Sequence, residues 1–282
     1  MPRLPVVLLF LKLLEDLLVS VQIYYYYKIA TYGDSEGNHS IFISLLIAFV
    51  LIVLFVRVVM ECFEIKRRKN VKFAFDVLFE LHMKYRYHQQ PRDTLVVLKN
   101  GVRSILGPHT RRPAVLLLMS ADDGKMTAME LATRLTQVTF AAMGNRKTEE
   151  FIRENLVIDG SYFSGLIDFW EFYNIISSKL KKYKMVIVYN FEVVHPHAVT
   201  VLPSLTHEIF CPQTQALIIL IMGLNCYHHP ITSDFSSTRL ACSSVEQTFG
   251  PSLDNGQLDD LMRTVTARSA LVLPEKLLSE EN

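Results

Sequence analysis

Three apolar runs constrain this chain most: AVLLLMS at 114–120, MVIVY at 185–189 and ALIILIMG at 216–223. Each is dominated by aliphatic residues and none alternates with polar ones, the signature of strands buried on both faces. Strands of that kind belong to parallel sheets covered by helices on both sides. The intervening sequence agrees. After the first run ADDGK reads as a turn, and MTAMELATRLTQVTFAAM sets Met129, Ala132, Leu135 and Phe140 inward on a helix. LVIDG at 156–160 reads as a short strand, and 163–181 as a helix with Ile167, Trp170, Tyr173 and Ile176 at spacings of three. VTVLPSLTHEIF reads as helical about Pro203, residues 227–251 as loop-rich, and LDNGQLDDLMRTVTARSALVLP as a helix running into a last short strand. Repeated strand–helix alternation implies right-handed crossovers. The expected fold class is therefore α/β, a mainly parallel sheet with flanking helices, over residues 91–282.

What precedes this domain is of another character. Half of the chain is hydrophobic, and much of the excess lies in 41–60, IFISLLIAFVLIVLFVRVVM, where Arg57 is the one charge. Such a stretch is long enough to cross about 30 Å of hydrocarbon as a transmembrane helix. Residues 1–40 are apolar as well, but Lys12, Glu15 and Asp16 share one helical face. That pattern fits an amphipathic helix lying on membrane lipid, and no small-residue cleavage site marks it as a removed signal. Residues 61–90 read as a helical stem, with Phe73, Val77 and Leu81 at helical spacing and the basic run Lys66-Arg67-Arg68-Lys69 flanking the span. With a net charge of +1 and no basic stripe across the domain, nucleic-acid binding has no support. Cys62, Cys211, Cys226 and Cys242 form neither a metal pair nor a disulfide framework, and Asn38 heads the only N-x-S/T glycosylation sequon.

The first strand–turn–helix is where a phosphate-binding loop would sit. That loop needs G-x-x-x-x-G-K-[ST], whose glycines let backbone N–H groups wrap the phosphates and whose hydroxyl binds magnesium. Here the run is MSADDGKMT. Gly124-Lys125 is in place, but Met119 replaces the first glycine, Met126 replaces the hydroxyl, and Asp122 and Asp123 bring negative charge to a phosphate position. The exit of the third strand should deliver a metal-holding acid, yet Asn190 follows Tyr189 and the nearest acid is Glu192. Asn225 ends the fourth run and reads as a strand cap. His195 and His197, and Cys226 with His228 and His229, follow no metal-site spacing. The residues point to a domain without ATP hydrolysis, cofactor or metal, and so without catalytic residues.

The ordered segments RPAVLLLMSADDGKMTAMELATRLTQ, NLVIDGSYFSGLID, MVIVYNFEVVHPHAVTVLPSLTHE, ALIILIMGL and SLDNGQLDDLMRTVTARSALVLPEK resemble the luminal domain of the torsin-interacting proteins, over about residues 110–276. Ile158–Gly160 and Leu271–Pro274 are the most telling elements. The resemblance implies a degenerate AAA+-like, nucleotide-free domain preceded by one transmembrane helix in the endoplasmic reticulum membrane or nuclear envelope, its C-terminal domain luminal. It implies a torsin-type AAA+ ATPase as partner, which family members stimulate with an arginine finger from an R-F-E motif after the third strand. Here that motif is Asn190, Phe191 and Glu192, the expected partner interface. A neutral amide cannot replace the guanidinium, so activation is in doubt. The family's luminal disulfide has no matching cysteines, and lamin binding is not implied.

The basic run after the span favours the opposite orientation by the positive-inside rule. A hairpin of spans at 5–22 and 41–60 would satisfy the charges but place the domain in the cytosol. Two further readings therefore stay open, a divergent nucleotide hydrolase and a cytosol-facing membrane scaffold unrelated to torsin.

Overall fold

Glu36–Phe79 is one unbroken helix, α1, and it continues into a single wider turn of π-helix at Glu80–Lys84. The computed structural model describes residues 36–107, 112–165, 169–206, 215–224 and 236–275, and their side chains except those of 36–48, 51, 61–65 and 122. The chain divides into two compact units, Met1–Glu64 and Ile65–Asn282.

In the first unit the described residues belong to α1, where Val50, Ile52, Leu54, Phe55 and Val58 are exposed. Among the described residues no helix is long and apolar enough to cross a membrane. Residues 41–48 and 51 of the expected span fall outside the described side chains, as does Asn38, and the amphipathic segment lies outside the described residues up to position 35.

The second unit is built on five parallel strands in the order β2-β3-β4-β1-β5. They are β1 (Ala114–Ser120), β2 (Val157–Asp159), β3 (Met185–Tyr189), β4 (Leu217–Gly223) and β5 (Ser269–Val272). The α/β class expected from the apolar runs is what the chain adopts, and every strand among the described residues is parallel. Between the strands run α2 (Arg92–Ile105), α3 (Lys125–Ala142), α4 (Glu149–Leu156), α5 (Phe169–Tyr183), the short α6 (Pro196–Val199) and α7 (Val201–Thr206), α8 (Ser237–Phe249) and α9 (Asn255–Val265).

The order of winding sets the layers. After β1 the chain crosses to the far edge at β2, then winds back through β3 and β4 and steps over β1 to β5. Because crossovers keep one hand, reversing the direction of travel moves the connecting helices to the other face. Leu116, Leu118, Ile187, Ile219 and Ile221 accordingly pack with α2, α3, α4 and the stem. Their alternating neighbours Leu117, Met119, Val188, Ile218 and Leu220 pack with α5 to α9. Neighbours β1 and β4 thus send their following segments to opposite faces. That is the switch point at which open α/β sheets leave a crevice beyond the strands' carboxyl ends.

Two expectations need correction. Residues 227–251 are not loop-rich throughout, since α8 fills 237–249. Its small polar residues hide a buried line of Ala241, Val245 and Phe249 at i, i+4, i+8, and the Ser236 side chain caps it by accepting from the Arg239 N–H at 3.3 Å. Trp170, read in one line with Tyr173 and Ile176 at spacings of three, is exposed at the start of α5, whose buried line is Phe172, Ile176 and Leu180.

The stem is part of the second unit's core. Phe75, Phe79, Met83 and Tyr87 are buried, whereas Phe73, Val77, Leu81 and Tyr85 are exposed. Steps of four along an α-helix drift by about 40° each, and the wider π-turn offsets that drift over the last of them. Asp76–Arg103 at 3.2 Å, Glu80–Lys99 at 2.7 Å and Arg86–Glu130 at 3.0 Å join the stem and its continuation to α2 and α3. Just beyond, Gln90 closes the outer edge of β5. Its amide donates to the Leu273 carbonyl at 2.7 Å and accepts from the Leu273 N–H at 3.0 Å, while the Thr94 hydroxyl donates to the Leu271 carbonyl at 2.6 Å. Tyr87 is fully buried with a hydroxyl that has no hydrogen-bond partner among the described residues, and burial pushes its ionisation well up.

Candidate functional site

The crevice is built by the exits of four strands. β1 ends at Ser120, and the turn Asp122–Gly124 leads into Lys125, the first residue of α3. A Cβ on Gly124 would lie 3.2 Å from both Ser120 Cβ and the Val272 carbonyl oxygen, so the turn lies close against β1 and β5. β4 ends at Gly223, paired in register with Ser120, and the Leu224 N–H donates to the Ser120 carbonyl at 2.8 Å.

The exit of β3 makes the sharpest bend. Asn190 has φ 52° and ψ 47°, the left-handed region that asparagine tolerates better than most residues with a Cβ. Its side-chain amide donates to Asp159 Oδ1 at 3.0 Å, and the Ser161 N–H donates to the same oxygen at 3.0 Å. Burial alone would raise the Asp159 carboxyl, but these bonds outweigh it and hold the group below its usual range. Gly160 is forced by the same bend, because a Cβ there would sit 2.3 Å from the Asn190 carbonyl oxygen. The His195 N–H donates to the Phe163 carbonyl at 2.7 Å, completing the lacing of the β2 and β3 exits.

The bend sends the three expected interface residues in three directions. Asn190, half-buried, reaches toward β2. Phe191 is fully buried, its ring 5.2 Å from that of Phe249 at a 55° tilt. Glu192 turns across the sheet: its Oε1 accepts from Lys125 Nζ at 2.7 Å and its Oε2 from the Gly223 N–H at 2.9 Å. The two side chains are only 23% and 15% exposed, so this ion pair is held in a water-poor setting and differs from the surface pairs of the stem. Glycine at 223 is what makes room, since a Cβ there would lie 2.2 Å from Lys125 Cε and 2.8 Å from Glu192 Oε1.

The structure thus joins Lys125 with Glu192, residues that the sequence presents as separate features of two motifs. Ser120 and Gly223 belong to the same cluster and were invisible to motif reasoning, because strand register alone brings them together. His195 and His197 stack with ring centroids 5.5 Å apart, and the His197 N–H donates to His195 Nδ1 at 3.3 Å, a turn contact. Cys242 is a free thiol whose sulfur reaches the Thr266 hydroxyl at 3.6 Å. Asn225, Cys226, His228, His229 and Cys211 lie outside the described residues. Among the described residues no group of three or more His, Cys, Asp or Glu could hold a metal ion.

Around the crevice the exit segments carry exposed apolar side chains: Met126 at 66%, Tyr162 at 80%, Trp170 at 60% and Val193 at 41%. They follow β1, β2, β2 and β3 respectively, so all stand on the carboxyl edge of the sheet. Exposed large apolar groups gathered on one edge mark an interaction surface more often than a solvated one. No protein-family model matches the chain, and no curated protein matches its sequence.

Proposed function

We propose that the protein is a membrane-anchored, catalytically inert partner of a torsin-type AAA+ ATPase, residing in the endoplasmic reticulum membrane or nuclear envelope. In this reading the second unit is a degenerate AAA+-like domain in the lumen, behind a single transmembrane helix at 41–60. It docks through its carboxyl edge. The observation that carries the reading is the engagement of Lys125 with Glu192, which commits the one lysine at the phosphate-loop position to a carboxylate of the same chain. A domain of this build works on a neighbour's nucleotide. The exposed Met126, Tyr162, Trp170 and Val193 support docking at that edge. The apolar side chains exposed along α1 from Val50 to Val58 support lipid contact there.

The motif residues then divide their roles. Phe191 is buried and anchors the segment, Asn190 makes the bend, and Asn190 and Glu192 are half-buried at the exit of β3. An arginine finger neutralises charge on the transferring phosphoryl group and contributes roughly 10³–10⁵ in rate. Asn190 has no charge to contribute, so the protein binds the ATPase without that acceleration. The test mixes full-length protein in detergent with torsin and ATP, and reads complex formation and phosphate release. Binding at micromolar concentration with little stimulation, and increased turnover with Asn190→Arg, is the expected result. Absence of binding sinks the proposal, and thermal stabilisation by Mg-ATP in the absence of torsin would replace it with the hydrolase reading.

A further inference from the structure

The crevice at the β1/β4 switch point has the donors of an anion site and is already filled. Lys125 Nζ and the Gly223 N–H converge on one carboxylate. Ser120, beside Gly223 in the register and fully buried, has a hydroxyl with no hydrogen-bond partner among the described residues. Both strand residues point to the face covered by α3, since the residues before them, Met119 and Met222, pack on the opposite one. A cation and a backbone N–H therefore converge where ligands enter open α/β sheets, with a buried serine hydroxyl on the neighbouring strand. Lysine at the start of the first helix is also the residue that reaches terminal phosphates in a working loop.

We infer that this crevice is an oxyanion-binding site whose resident ligand is the Glu192 carboxylate, which keeps phosphate groups out. Glu192 is well suited to the task. It sits in a one-turn segment, Phe191–Val193, fixed by the buried Phe191 ring on one side and by the Asn190 bend on the other. Held so, it competes at an effective concentration far above any free anion. An incoming phosphate would have to expel it and then share a water-poor space with the displaced charge. The inference concerns the crevice alone and stands or falls apart from the identity of the protein partner. It differs from a purely structural ion pair in one consequence. Removing a structural pair leaves a gap, whereas removing a resident ligand leaves an affinity.

Full-length protein in detergent, titrated with inorganic phosphate against chloride at constant ionic strength and followed by phosphorus NMR line width, decides the matter. Glu192→Ala should bind phosphate at least about tenfold more tightly than the unmodified protein. The double variant Lys125→Met with Glu192→Ala should fall back to the unmodified level. A folded Glu192→Ala that binds no more tightly than the parent overturns the inference, as does tight binding that survives loss of Lys125. Where circular dichroism shows Glu192→Ala unfolded, Glu192→Gln is judged by the same criterion, because its amide oxygen still accepts from Gly223 while its charge is gone.

Discussion

Adding one methyl group at Gly223 is the sharpest probe of the Lys125–Glu192 contact, because it touches neither residue's chemistry. The added Cβ would lie 2.2 Å from Lys125 Cε, 2.6 Å from its Nζ and 2.8 Å from Glu192 Oε1. No side chain can share that space. The lysine tail is the flexible party, so Gly223→Ala should push it aside and break the 2.7 Å contact. A hydrogen bond to a charged group contributes about 1.5–3 kcal/mol, and replacing a strand glycine recovers about 0.4–1 kcal/mol through the unfolded chain. The net loss should be about 0.5–2.6 kcal/mol. For a unit of this size that corresponds to a melting point lower by about 1–10 °C. In a Lys125→Ala background the lysine tail and its contact are already gone and only Glu192 Oε1 still lies close to the methyl, so the same change should cost clearly less. Urea denaturation of the four proteins of the cycle, followed by circular dichroism, measures the coupling. Costs that add within about 0.5 kcal/mol would show that the glycine is not there to admit the pair, and the account of the crevice would be wrong.

Other perturbations test the surrounding scaffold. Phe191→Ala should cost about 4 kcal/mol, read by urea denaturation, because it empties a fully buried site and ends the ring contact with Phe249. Gly160→Ala should be worse tolerated than most surface changes, costing about 3 kcal/mol or more, since the carbonyl of Asn190 at 2.3 Å is backbone and cannot step aside. Tyr87→Phe should raise stability by about 1 kcal/mol by deleting a buried hydroxyl that nothing among the described residues satisfies. Asp159 is held below its usual range, so the stability it contributes is complete above the unfolded value, about 3.9, and is lost as pH falls through the lower folded value. Asn190→Ala removes one of its bonds, and a pH titration of stability should become flatter below about pH 4 in that variant.

The sheet was legible because strands buried on both faces leave continuous apolar runs, and β1, β3 and β4 do so unambiguously. Periodicity could not choose a face for the stem. FAFDVLFELHMKYRY carries two apolar lines two residues apart, Phe73-Val77-Leu81-Tyr85 and Phe75-Phe79-Met83-Tyr87, and only packing against α2 and α3 buries the second. Helix α8 was missed because its three serines and two threonines outnumber the three residues that anchor it. For the crevice, the sequence showed Gly124-Lys125 and Glu192 but not their meeting. That contact depends on the register pairing Ser120 with Gly223 and on a left-handed residue at Asn190, neither of which has a linear signature. That Asn190 ties down Asp159 had no linear signature either.

Gln90 and Thr94 carry a consequence for how this domain meets others. By answering the backbone groups of Leu271 and Leu273 with side-chain atoms, they occupy the rim where a sixth strand would zip on. The opposite rim, β2, is three residues long and gives a passing chain little to grip. Among the described residues an extended peptide therefore finds little template on either flank of the sheet.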